Sequence, residues 1–234
     1  MAFRKRNDPD SPLATVDWRE ARNFVLGTLE LARSSKRSRE VHGVMAIRVW
    51  KDDPRGSIYA PCAFRGAHAG PLPSGIPEKR LFEDRECLRV LCHVDDGVEE
   101  GAVRRHQVMD GRGESIGTIE HHPPKERHKY PSWRIQQPGH PEIVGSSEGN
   151  LIERGLVSLV DFSLDFINGA LVGDGRARKP KKPRLIGWKD EAGKLVMISQ
   201  GKEHTVKAAW LDRRLAFAFA LLGDGVQAVG AEPT

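Results

Sequence analysis

Cysteine is scarce in this 234-residue chain, and aromatic residues make up only 6% of it. Its three cysteines, Cys62, Cys87 and Cys92, are an odd number, which excludes a disulfide framework as the organising principle. Cys87 and Cys92 are five apart, so a strand would point them to opposite faces and away from a shared metal. They read as small buried hydrophobes in a reducing compartment. No run of the chain approaches the ~18 consecutive apolar residues of a membrane-spanning helix. The basic opening Met1–Pro9 is followed by no apolar stretch, so no secretion signal is expected. Gly-x-Ser-x-Gly is missing, and no nucleophile stands beside a base.

Charge of one sign is also in short supply. The formal net charge is +5, with 38% hydrophobic and 29% charged residues, as in an ordinary globular chain. The basic excess is local rather than global, so it tolerates an anionic partner without requiring one. Arg exceeds Lys, and Ala and Gly are abundant, a usage that suggests a GC-rich bacterial genome.

What is present begins near the end of the chain. Leu215-Ala-Phe-Ala-Phe-Ala-Leu-Leu222 is eight apolar residues without a break. Leu and Ala favour helix, Asp212 offers an N-cap, and Gly223 suits the residue past the last turn. Leu215, Phe217, Phe219 and Leu221 also alternate, as in a strand. The alanines and the caps decide for a helix over 212–222. It is apolar on every face and must be enclosed by protein.

Before it the chain reads mainly as β. The spacing of Trp18, Ala21, Val25, Leu29 and Ala32, with a capping pair at Asp17 and Glu20, predicts an amphipathic helix over 16–33. Trp18, Val25 and Leu29 on its stripe are the candidate residues for docking a partner or for packing on the domain. Strands are expected over 41–50, 57–64, 87–94 and 102–109, with an acidic turn at 95–101. Asp110-x-x-Gly113 and, about eighty residues later, Asp190-x-x-Gly193 each join two strands by the same hairpin chemistry. Trp133–Gln137 and Glu142–Gly145 flank a Pro-Gly turn. About ten strands before one apolar helix are best accommodated by a barrel closed around that helix, since closure removes the sheet edges.

Leu156, Leu159, Val160, Leu164 and Ile167 share one face of a further amphipathic segment, followed by a basic run over 176–184. Arg176, Arg178, Lys179, Lys181, Lys182 and Arg184 are the candidate contacts to anionic lipid. Asp161 and Asp165 on the polar face favour the alternative, in which this helix plugs a barrel mouth. Gly111–Gly117 only loosely resembles a dinucleotide fingerprint, because its last glycine is displaced and a strand follows. His121 and His122 are adjacent and point apart, so no metal site is expected. The basic, aromatic-bearing stretch 123–133 reads as a hairpin loop rather than a nucleic-acid surface.

The Asp-x-x-Gly hairpins, the Trp133-Arg-Ile strand with its Pro138-Gly139 turn, and Leu211-Asp-Arg-Arg-Leu-Ala-Phe-Ala-Phe-Ala-Leu-Leu222 together carry a likeness. The chain resembles the LURP-one-related, tubby-like C-terminal superfamily, which includes the phospholipid scramblases. The likeness is best over 102–147 and 184–224, and poor before residue 100. It implies a closed antiparallel barrel threaded by the hydrophobic C-terminal helix. The basic head-group site of tubby proteins finds no matching motif here. The expected organisation is a disordered tail with the helix over 1–40, a barrel domain over 41–224 carrying a helical and basic insertion at about 148–183, and a disordered tail over 225–234. The expected role is a non-enzymatic, cofactor-free binding or adaptor protein of the cytoplasm, with anionic lipid or a protein as ligand and a peripheral place at the membrane. The alternative is a structural or regulatory part of a larger assembly, docked through the N-terminal helix.

Overall fold

The computed structural model describes residues 13–32, 39–51, 57–66, 79–124, 131–147 and 185–226. Alternating apolar and polar residues, punctuated by Gly and Asp, fold these segments into thirteen strands and one α-helix. The first five strands are β1 (Asn23–Leu31), β2 (Val41–Lys51), β3 (Ile58–Arg65), β4 (Lys79–Phe82) and β5 (Val90–Val94). They are followed by β6 (Val98–Glu100), β7 (Val103–Asp110), β8 (Ser115–His122), β9 (Ser132–Gln136) and β10 (Ile143–Ser146). Last come β11 (Leu185–Asp190), β12 (Leu195–Gln200), β13 (Glu203–Val206) and α1 (Arg213–Val226).

Pairing runs β5-β4-β3-β2-β1-β13-β12-β11-β10-β9-β8-β7, and β5 then pairs with β7. Twelve strands therefore close into an antiparallel barrel, with β6 added to β7 beside the seam. Closure leaves no open edge on the ring itself. At one rim lie the β7–β8, β9–β10 and β11–β12 turns, the start of β1 and the start of α1. At the opposite rim lie the end of β3 and the start of β4, the end of β8 and the start of β9, and the end of β10 and the start of β11.

The two Asp-x-x-Gly turns form as expected. Asp110 Oδ1 accepts from the backbone N–H of Arg112 and Glu114, and Gly113 takes φ 83°. Asp190 Oδ1 accepts from Lys194 N–H at 2.8 Å, and Gly193 takes φ 78°. A side chain at either glycine would be strained in that left-handed conformation.

Helix α1 is capped by Asp212, whose Oδ1 accepts from Arg214 N–H at 2.9 Å. It runs past the expected end, through Gly223, to Val226. Every residue from Leu215 to Leu222 is buried. Phe217 meets Phe24 of β1 edge-on, with ring centroids 4.8 Å apart. Phe219 meets Trp133 of β9 at 5.2 Å, Trp188 of β11 at 4.5 Å and His204 of β13 at 5.8 Å. Further contacts reach β4, β5 and β8.

Several expectations are corrected. No helix spans 16–33. Asp17 does cap, through Arg19 N–H, but it caps only a single 3₁₀ turn at Trp18–Glu20. Residues 23–31 are β1, inserted between β13 and β2. Phe24 and Leu26 alternate into the core, while Gly27, Val25 and Thr28 weaken a helix. The sheet edge offered by β13 and β2 decided a choice that the helical stripe left open. The barrel accordingly starts at residue 23 rather than 41. The acidic stretch 95–101 holds a strand of its own, β6, and β5 begins at Val90 because 83–89 form a tight turn. There Asp84 accepts from Leu88 and Arg89 N–H, and Cys87 sits at φ 58°. The segments at 156–168 and 176–184 lie outside the described residues.

Phe219→Ala should cost about 3–5 kcal/mol, a large part of a typical 5–15 kcal/mol stability. Deleting residues 1–38 should be more severe, because it removes β1 and separates β13 from β2. Thermal melts followed by circular dichroism should show a lowered midpoint for the first and no cooperative transition for the second. A deletion variant that melts like the full chain would show that β1 is dispensable.

Candidate functional site

Chemistry-bearing side chains collect in three places: between the sheet and α1, at the rim where α1 starts, and at the opposite rim. In the core, the β12–β13 hairpin pairs Ser199 with His204. Trp188 Nε1–H donates to Ser199 Oγ at 2.9 Å, and Ser199 Oγ lies 3.1 Å from His204 Nδ1. The hydroxyl accepts from the indole, and the direction of its bond to His204 follows the imidazole tautomer. Burial pushes the His204 pKa down to about 3, so the ring is neutral. A serine bonded to a histidine is the usual start of nucleophilic catalysis. Here Ser199 and His204 are 2% and 3% exposed, and Phe24 and Phe219 cover the imidazole, so no substrate reaches the pair.

A second buried polar group is Arg48, fully enclosed where β1, β2 and β3 shift register. It donates to Gly27 O, Tyr59 O, Val44 O and Glu30 Oε1 at 2.6–3.2 Å. A Cβ at Gly43 would overlap the Glu30 carboxylate. The guanidinium therefore satisfies carbonyls freed by the bulges, a structural task.

At the α1 rim the β9–β10 turn latches the helix entry. Gln137 Nε2 donates to Trp210 O at 3.0 Å, and its Oε1 accepts from Asp212 N–H at 2.8 Å. His140 stacks on Trp210 at 4.8 Å and 9°. Asp212 grips Arg214 at 2.7 Å, and Arg214 faces Asp110 at 3.9 Å and the Trp18 ring at 5.4 Å. Backbone N–H donors from Glu114 and Arg112, with Arg214 nearby, hold the Asp110 carboxyl below its ordinary pKa.

The opposite rim carries both signs of charge, with Asp95, Asp96, Glu99 and Glu100 beside its basic residues. Lys79, Arg80 and Arg104 form no ion pair within the described residues. Arg105 bonds Glu120 at 2.8 Å, and His122 Nε2 lies 2.9 Å from its other oxygen. Burial alone would raise the Glu120 pKa, but those hydrogen bonds outweigh it and hold the carboxyl low. His106 sits under Asp95 and Gly97, and His121 packs on Trp133 at 4.5 Å. Burial, then the neighbouring His122, His106 and Arg104, depress the His121 pKa.

The residues expected to act fare differently. Trp18 packs on the core beside Arg19 and Arg214, while Val25 and Leu29 are half-buried in β1. They share no helical stripe, because that helix is not formed. Arg176, Arg178, Lys179, Lys181, Lys182 and Arg184 lie outside the described residues. Cys62 and Cys92 are buried, and burial pushes both thiols up to about 12, as inert core residues require. Among the described residues no group of His, Cys, Asp and Glu is placed to hold a metal, and no helix is long and apolar enough to cross a membrane. Sequence reading missed the Ser199–His204 pair, because only the β12–β13 register brings the two together. The Arg105–Glu120 pair needed the β7–β8 register, in which the two residues are opposite each other. The chain matches no protein-family profile, no curated protein and no solved structure.

The histidines give this chain a definite response to pH. His204, His106, His121 and His93 all have pKa values lowered by burial, relative to about 6.5 in the unfolded chain. The unfolded state binds their protons first. Stability is therefore full above about pH 6.5 and is lost as pH falls toward 3, at about 1.4 kcal/mol per pH unit for His204. Glu203, raised by burial, works in the opposite sense, its contribution fading as pH rises through the carboxylate range. Urea melts between about pH 7.5 and 4.5 should show falling stability in the wild type and a shallower fall in His204→Gln. An unchanged slope in that variant would exclude His204 as the source.

Proposed function

We propose that the chain is a non-enzymatic binding or adaptor protein of the cytoplasm, built on a tubby-like barrel whose lumen is filled by α1. The reading of the lumen rests on Phe217 and Phe219, which touch rings from β1, β9, β11 and β13. An interior so filled leaves the rims and outer wall as places for a ligand. The ligand favoured is an anionic membrane surface, to which the protein binds peripherally.

One observation carries this. The rim at which Leu185 begins β11 presents Lys79, Arg80 and Arg104, which form no ion pair among the described residues, with Glu99 opposite Arg104 across β6 and β7. The sequence adds six further basic residues over 176–184, which lie outside the described residues. Each cation held near an anionic surface contributes roughly 1 kcal/mol, within a Debye length of about 8–10 Å. Arg105 and His122 add little, because Glu120 offsets them. A protein partner at this rim is the second reading, favoured by the exposed Val98–Glu100 strand there. Docking through a helix at 16–33 is not retained, since β1 occupies that stretch.

Sedimentation with phosphatidylglycerol vesicles tests the proposal. Binding should need anionic lipid, weaken with salt, and fall in two variants. One changes Lys79, Arg80 and Arg104 to Gln; the other changes the six basic residues at 176–184 to Gln. Binding that survives salt would point to insertion of the apolar segment at 156–168. No binding at low salt would remove lipid as the ligand and leave the protein-adaptor reading.

A further inference from the structure

On the other rim, beside the Gln137 latch, the chain forms a cleft of about 380 Å³. Ser115, Thr118, Gln136, His140, Glu142 and Glu191 line it. Thr118 and Gln136 are paired across β8 and β9, on the face away from α1, since Gly117 next to Thr118 abuts Leu215. The volume is at the small end of the ~300–1,000 Å³ typical of small-molecule sites.

The hydrogen-bonding inventory of this cleft is one-sided. Thr118 Oγ1 is buried and has no hydrogen-bond partner. Buried hydroxyls are rarely left so, and an unpaired one calls for an explanation. Gln136 points its Nε2 at Glu142 Oε1, 3.4 Å away, which leaves Oε1 as an acceptor with no partner. Arg134 holds both Glu142 oxygens at 3.0 and 3.2 Å, which offsets that charge but leaves lone pairs to spare. Glu191, exposed on the β11–β12 turn, has no ion pair among the described residues. No Lys or Arg lines the cleft. Gln137, which could donate, is committed at both ends to Trp210 and Asp212.

We propose that this cleft binds a small organic cation with several N–H donors, an amine or guanidinium group. Thr118 Oγ1 and Gln136 Oε1 accept its hydrogen bonds, and Glu191 supplies the uncompensated charge. An anion would meet a carboxylate without a cation to receive it. A neutral polyol would find acceptors but few side-chain donors: the Ser115 and Thr118 hydroxyls, His140 and the second Gln136 Nε2 hydrogen.

The test is a titration of the ¹⁵N-labelled full chain with agmatine, beside glucose and inorganic phosphate. Agmatine should shift the amides of 115–118 and 136–142 saturably. Glu191→Gln and Thr118→Val should each weaken it about tenfold or more, the loss that follows removal of one charge-assisted hydrogen bond or ion contact. Should Thr118→Val fail to fold, Glu191→Gln, on an exposed turn, carries the comparison. Four results would overturn the proposal: no saturable shift, equal response to glucose, a response to phosphate instead, or unchanged affinity in Glu191→Gln. The vesicle experiment concerns the opposite rim, so its outcome is independent of this one.

Discussion

The packing of Phe217 and Phe219 against Phe24, Trp133, Trp188 and His204 is the interaction on which the structure depends. Those four rings belong to β1, β13, β11 and β9, which lie within six consecutive strands of the ring of twelve. A single two-turn stretch of helix thus ties β9 and β11, which pair neither with each other nor with β1 or β13, to the paired strands β1 and β13. Each aromatic pair contributes about 0.5–1.5 kcal/mol beyond the burial of its surface. The remaining helix positions on either side are Ala, which let the sheet approach closely, and Leu. This division of labour explains why the helix is apolar on all faces.

Two of the buried polar groups, Arg48 and His204, are completed by backbone carbonyls or by another side chain. Arg48 serves three strands at their bulges, and its ion pair with Glu30 lies under the same fold of chain. His204 is kept neutral and is bonded through Ser199 to Trp188, so the ring that stacks on Phe24 also anchors the β12–β13 hairpin. Buried polar networks of this kind are stabilising only when every member is satisfied, and they favour one register over its neighbours.

Much of the architecture was legible in the residues. Asp110, Gly113, Asp190 and Gly193 declare their turns locally, because a left-handed glycine and an Asp acceptor need nothing from the rest of the chain. The run from Leu215 to Leu222, with Asp212 ahead of it, is equally self-contained. The stretch 16–33 was not legible, because Phe24 and Leu26 alternate while Val25 and Leu29 also fit a helix. Only the partners His204 and Val49, both distant in sequence, resolve the ambiguity. The cleft was illegible for the same reason. Thr118, Gln136 and Glu191 come from three hairpins, and none carries a motif. The barrel supplies the juxtaposition.

The way the ring is joined bears on how it is made. The β5–β7 seam closes residues close in sequence, whereas β1 waits for β13, Asn23 opposite Thr205. During synthesis, at about 5–20 residues per second, β1 emerges tens of seconds at most before β13 and α1 follow it. Until then the nascent chain is an open sheet with an unpaired edge at β1, and the face bearing Phe24, Trp133 and Trp188 lacks its cover. The final pairing closes a loop of well over a hundred residues, yet its entropy grows only as the logarithm of length, so the long connection at 148–184 adds little to that cost. The barrel therefore cannot close before β13 has been made, and the strand that completes the ring is followed directly by the helix that packs on its apolar residues.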